Sequence, residues 1–142
     1  MRTAAFLRLY FGNDRRTYIL GGDWMLSITM PRGDIRLIRF QVNDPQTGER
    51  SQVDFDEIYM TVKENVYERN YIFQKRISNG GIEKLGVGDY QIRLDASDTD
   101  PLDFNKIYPF DIELVYEDEI KQTEYGELKI TPEVTCEWNE VE

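Results

Sequence analysis

The sequence contains no histidine and only one cysteine, Cys136, among its 142 residues. Histidine is the commonest general base and the commonest metal ligand, so its absence argues against a catalytic centre or a metal site. One cysteine cannot form an internal disulfide, and a domain of this size must then be stabilised by its hydrophobic core. We expect a protein that is not an enzyme, with no catalytic, cofactor-binding or metal-binding residues.

Long apolar runs are also missing. No stretch approaches the roughly 18 apolar residues of a membrane-spanning helix. The apolar residues that follow Met1 are interrupted at Arg8, which is too early for the apolar region of a signal peptide. We therefore expect synthesis in a reducing cytoplasm, no export signal and no association with a membrane.

Basic residues are outnumbered, with 17 lysines and arginines against 27 acidic residues and a net charge of −10. Binding to a phosphate backbone requires clustered basic side chains. The only adjacent basic pairs are Arg15 with Arg16 and Lys75 with Arg76. We expect no affinity for nucleic acid, and a partner surface that is polar or basic.

The dominant pattern is an alternation of apolar and polar residues with a period of two, which is typical of strands with one buried and one hydrated face. From Trp24 onward it predicts about seven strands, at residues 24–30, 35–43, 57–64, 70–78, 89–95, 106–117 and 120–131. Short strands separated by frequent turns predict an all-β fold, an antiparallel β-sandwich. The apolar positions predicted for its core are Ile38, Phe40, Ile58, Met60, Val62, Tyr90, Ile92, Leu94, Phe110, Ile112, Leu114, Leu128 and Ile130.

Two connections have recognisable turn chemistry. Residues 79–81, Asn-Gly-Gly, predict a hairpin between the strand at 70–78 and residues 82–85. Residues 97–103 contain cap-type residues and Pro101, which predict a short helical turn. We expect Asp98 to cap this turn and Leu102 to close the end of the sandwich.

Residues 1–24 are predicted to form an N-terminal extension to a domain at residues 25–142. They contain a predicted hairpin, Phe6–Phe11 with residues 17–20, followed by a glycine linker. An alternative interpretation is that translation begins at Met25 and that residues 1–24 are upstream sequence. Residues 21–25, Gly-Gly-Asp-Trp-Met, can be encoded by a purine-rich ribosome-binding site just before a start codon.

Several small motifs suggest chemistry, and each also has a structural explanation. Arg32, Gly33 and Asp34 form the integrin-binding tripeptide, but the same residues suit a tight turn, which we favour. Two acidic clusters contain oxygen ligands suitable for calcium. The cluster at residues 95–103 lacks the glycine and distal glutamate of a calcium loop, so structural roles are favoured. These clusters are Asp95, Asp98, Asp100 and Asp103, and Asp54, Asp56 and Glu57.

The remaining candidates are a thiol, carboxylate pairs and aromatics. Cys136 has no histidine partner, which argues against a nucleophile. Carboxylate pairs for glycoside hydrolysis arise by chance among 27 acidic residues. Tyrosines near strand ends can stack on sugars or anchor protein interfaces, or they can pack within the sandwich. These tyrosines are Tyr59, Tyr67, Tyr71 and Tyr108.

An ordered set of segments carries a family resemblance: residues 28–34 (Ile-Thr-Met-Pro-Arg-Gly-Asp), 58–63, 88–94, 108–114 and 126–135. In these segments the chain resembles the immunoglobulin-like modules of phages and prophages of Gram-positive bacteria. It is similar to the N-terminal domain of phage baseplate upper proteins. The match covers about four-fifths of the chain and excludes residues 1–24.

The resemblance implies an immunoglobulin-like sandwich that serves as a non-enzymatic structural module of a phage tail or baseplate. It implies synthesis in the bacterial cytoplasm, a location in the virion, and partners among other tail or baseplate proteins and copies of itself. The alternative is a carbohydrate-binding or host-surface adhesion module that binds a host-surface glycan. A small enzyme or host-directed inhibitor is the third class, which a deep pocket with convergent polar groups would favour.

Overall fold

The computed structural model describes residues 6–11, 14–20, 26–44, 47–104 and 106–132, and strands dominate this part of the chain. Ten strands form two sheets of five. The elements are β1 (Phe6–Phe11), β2 (Asp14–Leu20), β3 (Leu26–Pro31), β4 (Arg36–Asn43), β5 (Glu57–Val62), β6 (Phe73–Arg76), β7 (Ile82–Gly86), β8 (Asp89–Leu94), α1 (Ala96–Thr99), β9 (Ile107–Tyr116) and β10 (Glu119–Thr131).

The first sheet has the strand order β2-β1-β4-β8-β7, and the second has the order β3-β10-β9-β5-β6. Apolar side chains from both sheets meet in one shared core, which confirms the predicted all-β sandwich. The period of two follows from this arrangement, because β3, β4, β5, β8 and β9 each bury one face against the opposite sheet and expose more of the other.

The predicted core is confirmed in full. Each of its side chains is buried: Ile38, Phe40, Ile58, Met60, Val62, Tyr90, Ile92, Leu94, Phe110, Ile112, Leu114, Leu128 and Ile130. Leu102 is also buried and belongs to the same cluster, as predicted. Burying side chains of this size contributes about 1.5–3 kcal/mol each to folding.

The predicted hairpin across residues 79–81 is wrong, because its two arms belong to different sheets. β6 pairs with β5, whereas β7 pairs with β8. The Glu57 carboxylate accepts the N–H of Ile77 at 2.7 Å and so fastens the end of β6 to β5. A turn at Gly80, whose φ is 83°, then carries the chain to the first sheet, where Ile82 pairs with Ile92. Because β7 is a strand of its own, eight strands rather than seven follow Leu26.

One strand pair departs from the predicted antiparallel arrangement. β3 runs parallel to β10, with Leu26 opposite Gly126 and Pro31 opposite Thr131. Periodicity indicates which face of a strand is buried, but it carries no information about the direction of the neighbouring strand.

The predicted N-terminal hairpin is present in the backbone of β1 and β2, which are antiparallel. β1 also pairs with β4, from Phe6 opposite Asn43 to Phe11 opposite Ile38. The hairpin therefore extends one side of the first sheet. The interpretation of Met25 as the translation start remains a prediction.

The helical turn predicted near residues 97–103 is present as α1. The N-cap residue of α1 is Asp95, and its backbone N–H donates to the carboxylate of Asp98 at 2.7 Å. Asp98 therefore contributes to capping as predicted, but from within the helix, as the second member of a capping box. The same carboxylate lies 2.6 Å from the ammonium of Lys75 on β6, and both side chains are largely buried. No helix in the described residues is long and apolar enough to cross a membrane.

Candidate functional site

The integrin-type tripeptide is a structural turn. Gly33 has a φ of 87° and donates its N–H to the hydroxyl of Thr99 at 3.0 Å. Arg32 donates to the carbonyl of Leu102 at 3.3 Å, and its guanidinium lies 4.1 Å from the centre of the Phe104 ring. Because Arg32 and Gly33 both bind the segment after β8, the tripeptide fastens one end of the sandwich.

Several members of the two acidic clusters form contacts within the chain. Asp95 lies 2.6 Å from Arg93, and Asp54 lies 2.9 Å from Lys84. Asp56 accepts the N–H of Glu117 at 2.7 Å. No group of three or more acidic or thiol side chains that could hold a metal ion occurs in the described part of the chain.

Glu57 shows how strongly one of these acids is engaged. Its carboxylate accepts the backbone N–H groups of Ile58, Ile77 and Ser78. Partial burial opposes ionisation of Glu57, but hydrogen bonds from the side chain of Ser78 and from these backbone N–H groups outweigh it and lower the pKa of the carboxyl. Glu57 is therefore a structural residue of the β5–β6 connection.

The four tyrosines fall into two groups. Tyr108 is buried, and its hydroxyl accepts the N–H of Asp103 at 2.7 Å. Tyr59 is half-buried, and the guanidinium of Arg76 lies 5.7 Å from the centre of its ring. Tyr67 and Tyr71 are exposed, both in the loop between β5 and β6. Cys136 lies outside the described residues.

The outer face of the second sheet carries a pocket that these motifs did not indicate. In the register of the sheet, Asp111 of β9 has Thr61 of β5 on one side and Tyr125 of β10 on the other. The pocket has a volume of about 110 Å³. We call it the Asp111 pocket, and its lining includes Thr61, Lys63, Val66, Pro109, Asp111 and Tyr125.

Asp111 is the unusual group in this pocket. Its Oδ1 atom is buried and has no hydrogen-bond partner among the described residues. Burial, and to a smaller extent the charge of Glu113, raise the pKa of Asp111 to about 6, and the charge of Lys63 partly opposes this shift. Among the carboxylates of the described residues, only Asp111 has a buried oxygen without a partner.

The polar neighbours of Asp111 are already engaged elsewhere. The ammonium of Lys63 donates to the carbonyl of Glu68 at 2.9 Å, which holds it on the β5–β6 loop. The hydroxyl of Thr61 accepts the amide of Gln74 at 2.9 Å. Gln74 in turn accepts the guanidinium of Arg76 at 2.8 Å. None of these hydrogen bonds involves Oδ1 of Asp111.

Periodicity alone could place Asp111 on the hydrated face of β9, where it alternates with Phe110 and Ile112. It could not indicate that a loop residue, Val66, and a residue from the next strand, Tyr125, would close around it. The site was missed because it depends on strand pairing and loop packing.

The geometry limits what the pocket can do. Small-molecule sites usually measure about 300–1,000 Å³, several times the volume of this one. It offers a carboxylate with an unused acceptor, an apolar wall at Val66 and Pro109, and an aromatic ring at Tyr125. These features suit the end of one side chain from a partner.

Comparisons with known proteins do not assign the chain to a family. No protein-family model matches it, and a search of curated proteins finds no match.

Proposed function

We propose that this chain is a structural and assembly module of a bacteriophage or prophage particle, with an immunoglobulin-like fold, that acts through protein–protein contacts rather than catalysis. In this proposal it is made in the bacterial cytoplasm and resides in the virion tail or baseplate. Its partners are other tail or baseplate proteins, and copies of itself. The particle role is proposed because five ordered segments resemble phage structural modules. The outer face of the second sheet is the proposed contact surface.

The strand order supports the immunoglobulin-like assignment. With β4, β5, β8, β9 and β10 taken as strands B, C, E, F and G, the first sheet contains B next to E and the second contains C, F and G in sequence. β7 then occupies the position of strand D beside E. This is the partition of strands that immunoglobulin-like sandwiches use.

Tyr108 gives independent support for the assignment. It lies near the start of β9, and its hydroxyl binds the backbone of Asp103, five residues upstream. Immunoglobulin-like domains have such a tyrosine corner at the start of strand F, two residues before a core cysteine. Here Phe110 occupies that core position and is buried.

The observation that carries the binding role is the Asp111 pocket together with the exposed apolar residues around it. Val66 is 64% exposed and Tyr125 is 63% exposed, and both line the pocket. Tyr67, next to Val66, is 91% exposed. Exposed aromatics around a desolvated polar group are typical of the centre of a protein interface.

A glycan-binding or host-surface adhesion role is the second candidate. The exposed ring of Tyr125 beside a free carboxylate is an arrangement that can stack on a sugar and bind its hydroxyls. The small volume of the pocket favours a side chain over a sugar ring.

Two measurements separate the candidates. Light scattering of the pure chain measures self-association, and capture from a lysate of the induced prophage, with the captured proteins identified by mass spectrometry, measures binding to particle components. We expect a tail or baseplate protein to be captured. A strict monomer that captures none, but binds a glycan array, would reject assembly in favour of adhesion.

A further inference from the structure

We propose that the Asp111 pocket receives one basic side chain, a lysine or an arginine, from a different protein of the particle. The inference rests on the proposed function in that the donor belongs to a particle protein. It goes further by naming the chemistry of the contact and the residue that receives it.

The Asp111 carboxylate has a hydrogen-bond acceptor without a partner among the described residues. Buried carboxylate oxygens normally accept hydrogen bonds, because an unpaired one loses its hydration without compensation. Asp111 Oδ1 has no such bond among the described residues, although Thr61 and Lys63 line the same pocket. The Asp111 side chain as a whole is only partly buried and lines the pocket, so a donor from outside the chain can reach the carboxylate. A positively charged donor forms the stronger, charge-assisted bond.

The shape of the pocket suits a lysine or arginine side chain. Lysine and arginine combine an aliphatic stem with a charged tip, and they bury the stem along apolar surface. Val66 and Pro109 offer that surface, and the ring of Tyr125 can face a cation. The volume of about 110 Å³ admits one such side chain but lies well below a typical small-molecule site.

The charge of the chain and of the groups near the pocket also favours a basic occupant. The chain has a net charge of −10, so the pocket attracts a basic partner more strongly than it attracts a second copy of the chain. Close to the pocket, Glu113 adds negative charge, and the opposing ammonium of Lys63 is bound to the carbonyl of Glu68. The complement of this surface is a basic protein, which favours a different partner over a second copy.

The Asp111 carboxylate also reduces the stability of the isolated chain. A partly buried carboxylate with no partner destabilises the isolated chain at neutral pH, as the raised pKa of Asp111 indicates. Residues that reduce stability are typical of functional sites, where a ligand supplies the missing interaction.

A titration of the full chain with short peptides tests the proposal. The probes are Ac-Gly-Arg-Gly-NH2 and Ac-Gly-Lys-Gly-NH2, and the uncharged control is Ac-Gly-Gln-Gly-NH2. Amide NMR shifts report where each peptide binds. We expect the basic peptides, and not the glutamine peptide, to shift the signals of Thr61, Asp111 and Tyr125 at pH 7.5.

Matched variants identify the residue responsible. Asp111→Asn should weaken binding of the basic peptides roughly tenfold or more, as expected for loss of a charge-assisted bond. Glu113→Gln removes the same charge two residues along β9 and should change binding less than about threefold. Tyr125→Ala alters an exposed residue and gives a second test should Asp111→Asn disturb folding. Binding should also weaken at pH 5, where Asp111 is largely protonated.

Several results would overturn the inference. Equal shifts from all three peptides, or equal losses in Asp111→Asn and Glu113→Gln, would show that the Asp111 carboxylate is not the receptor. Self-association that Asp111→Asn abolishes would instead place a second copy in the pocket. If the chain is found in particles but binds no basic peptide, the inference fails and the proposed function stands. If it binds basic peptides but is absent from particles, the particle role fails.

Discussion

Tyr125 of β10 lies directly opposite Asp111 of β9 in the antiparallel register of the second sheet. Both residues line one pocket, yet Tyr125 is largely exposed whereas one oxygen of Asp111 is buried without a partner. An exposed ring beside an unsatisfied carboxylate is the arrangement on which the proposed binding role depends. Replacing the Asp111 carboxylate should therefore stabilise the isolated chain but weaken its binding to a partner.

Replacing Asp111 with asparagine should stabilise the isolated chain at neutral pH. The pKa of Asp111 is about 6 in the folded chain against a usual value of 3.8, so the folded state holds the proton more tightly. Stability from this group is therefore fully present below about pH 4 and is lost as the pH rises through 6. Urea unfolding at pH 7.5 should show Asp111→Asn to be about 1 kcal/mol more stable, a figure reduced because the carboxyl is half exposed.

The pH dependence separates this effect from a change in packing. The advantage of Asp111→Asn should shrink as the pH falls from 7.5 towards 4, because the wild-type carboxyl becomes protonated. Glu113→Gln is the matched control and should change stability less. An advantage of Asp111→Asn that is the same at both pH values would contradict the raised pKa.

Gly126→Ala should destabilise the fold by about 1–3 kcal/mol, as overpacking of a core does. A Cβ atom at Gly126 would lie 2.4 Å from Cζ of Phe110 and 2.8 Å from the carbonyl oxygen of Leu26 on β3. Gly86→Ala is the control, because nothing lies within 4 Å of a Cβ built there. Thermal unfolding of both variants checks the prediction, and equal midpoints would indicate that β3 and β9 are not packed as described.

Asp89 forms ion pairs with Arg39, at 2.6 Å, and with Arg50, at 3.8 Å. Arg39 donates two hydrogen bonds to Asp89, at 3.1 Å and 2.6 Å, and the Asp89 side chain is only 7% exposed. Asp89→Asn should reduce the unfolding free energy by about 1.5–3 kcal/mol. The exposed pair Arg93 and Asp95 is the comparison, and Asp95→Asn should reduce it by less than about 1 kcal/mol. Equal losses of unfolding free energy in Asp89→Asn and Asp95→Asn, measured by denaturant unfolding, would contradict this prediction.

Removing residues 1–24 should leave a protein that still melts cooperatively. A chain that starts at Met25 keeps β3 to β10 and every core side chain that the structure describes. It loses the pairing of β1 with β4, which makes β4 an edge strand. Thermal melting followed by circular dichroism tests this prediction. A truncated chain that is unfolded or aggregates would show that the β1–β2 hairpin is needed for folding. The intact mass of the natural protein tests Met25 as the translation start.

Local pattern was sufficient to predict the buried faces of β4, β5, β8, β9 and β10, because burial on one side imposes a period of two. It was not sufficient to predict how strands associate. Ile82 was predicted to pair back towards β6, but it pairs with Ile92 in the opposite sheet. The parallel neighbour of β3 and the loop that brings Val66 to Asp111 likewise depend on contacts between distant residues. Every residue that the pattern assigned to the core is buried, but the core also contains seven residues that were not predicted, and the candidate site was not predicted. The seven are Leu26, Ile28, Met30, Val42, Phe55, Ile82 and Tyr108.

The most direct test of the particle role is the protein content of purified particles. The prophage of the encoding strain is induced, particles are banded on a density gradient and washed in high salt, and their proteins are quantified by mass spectrometry. The account predicts that this chain is retained in a fixed ratio to the major capsid protein, while an abundant host cytosolic protein is washed away. A chain that stays in the soluble lysate with the host proteins would contradict the account.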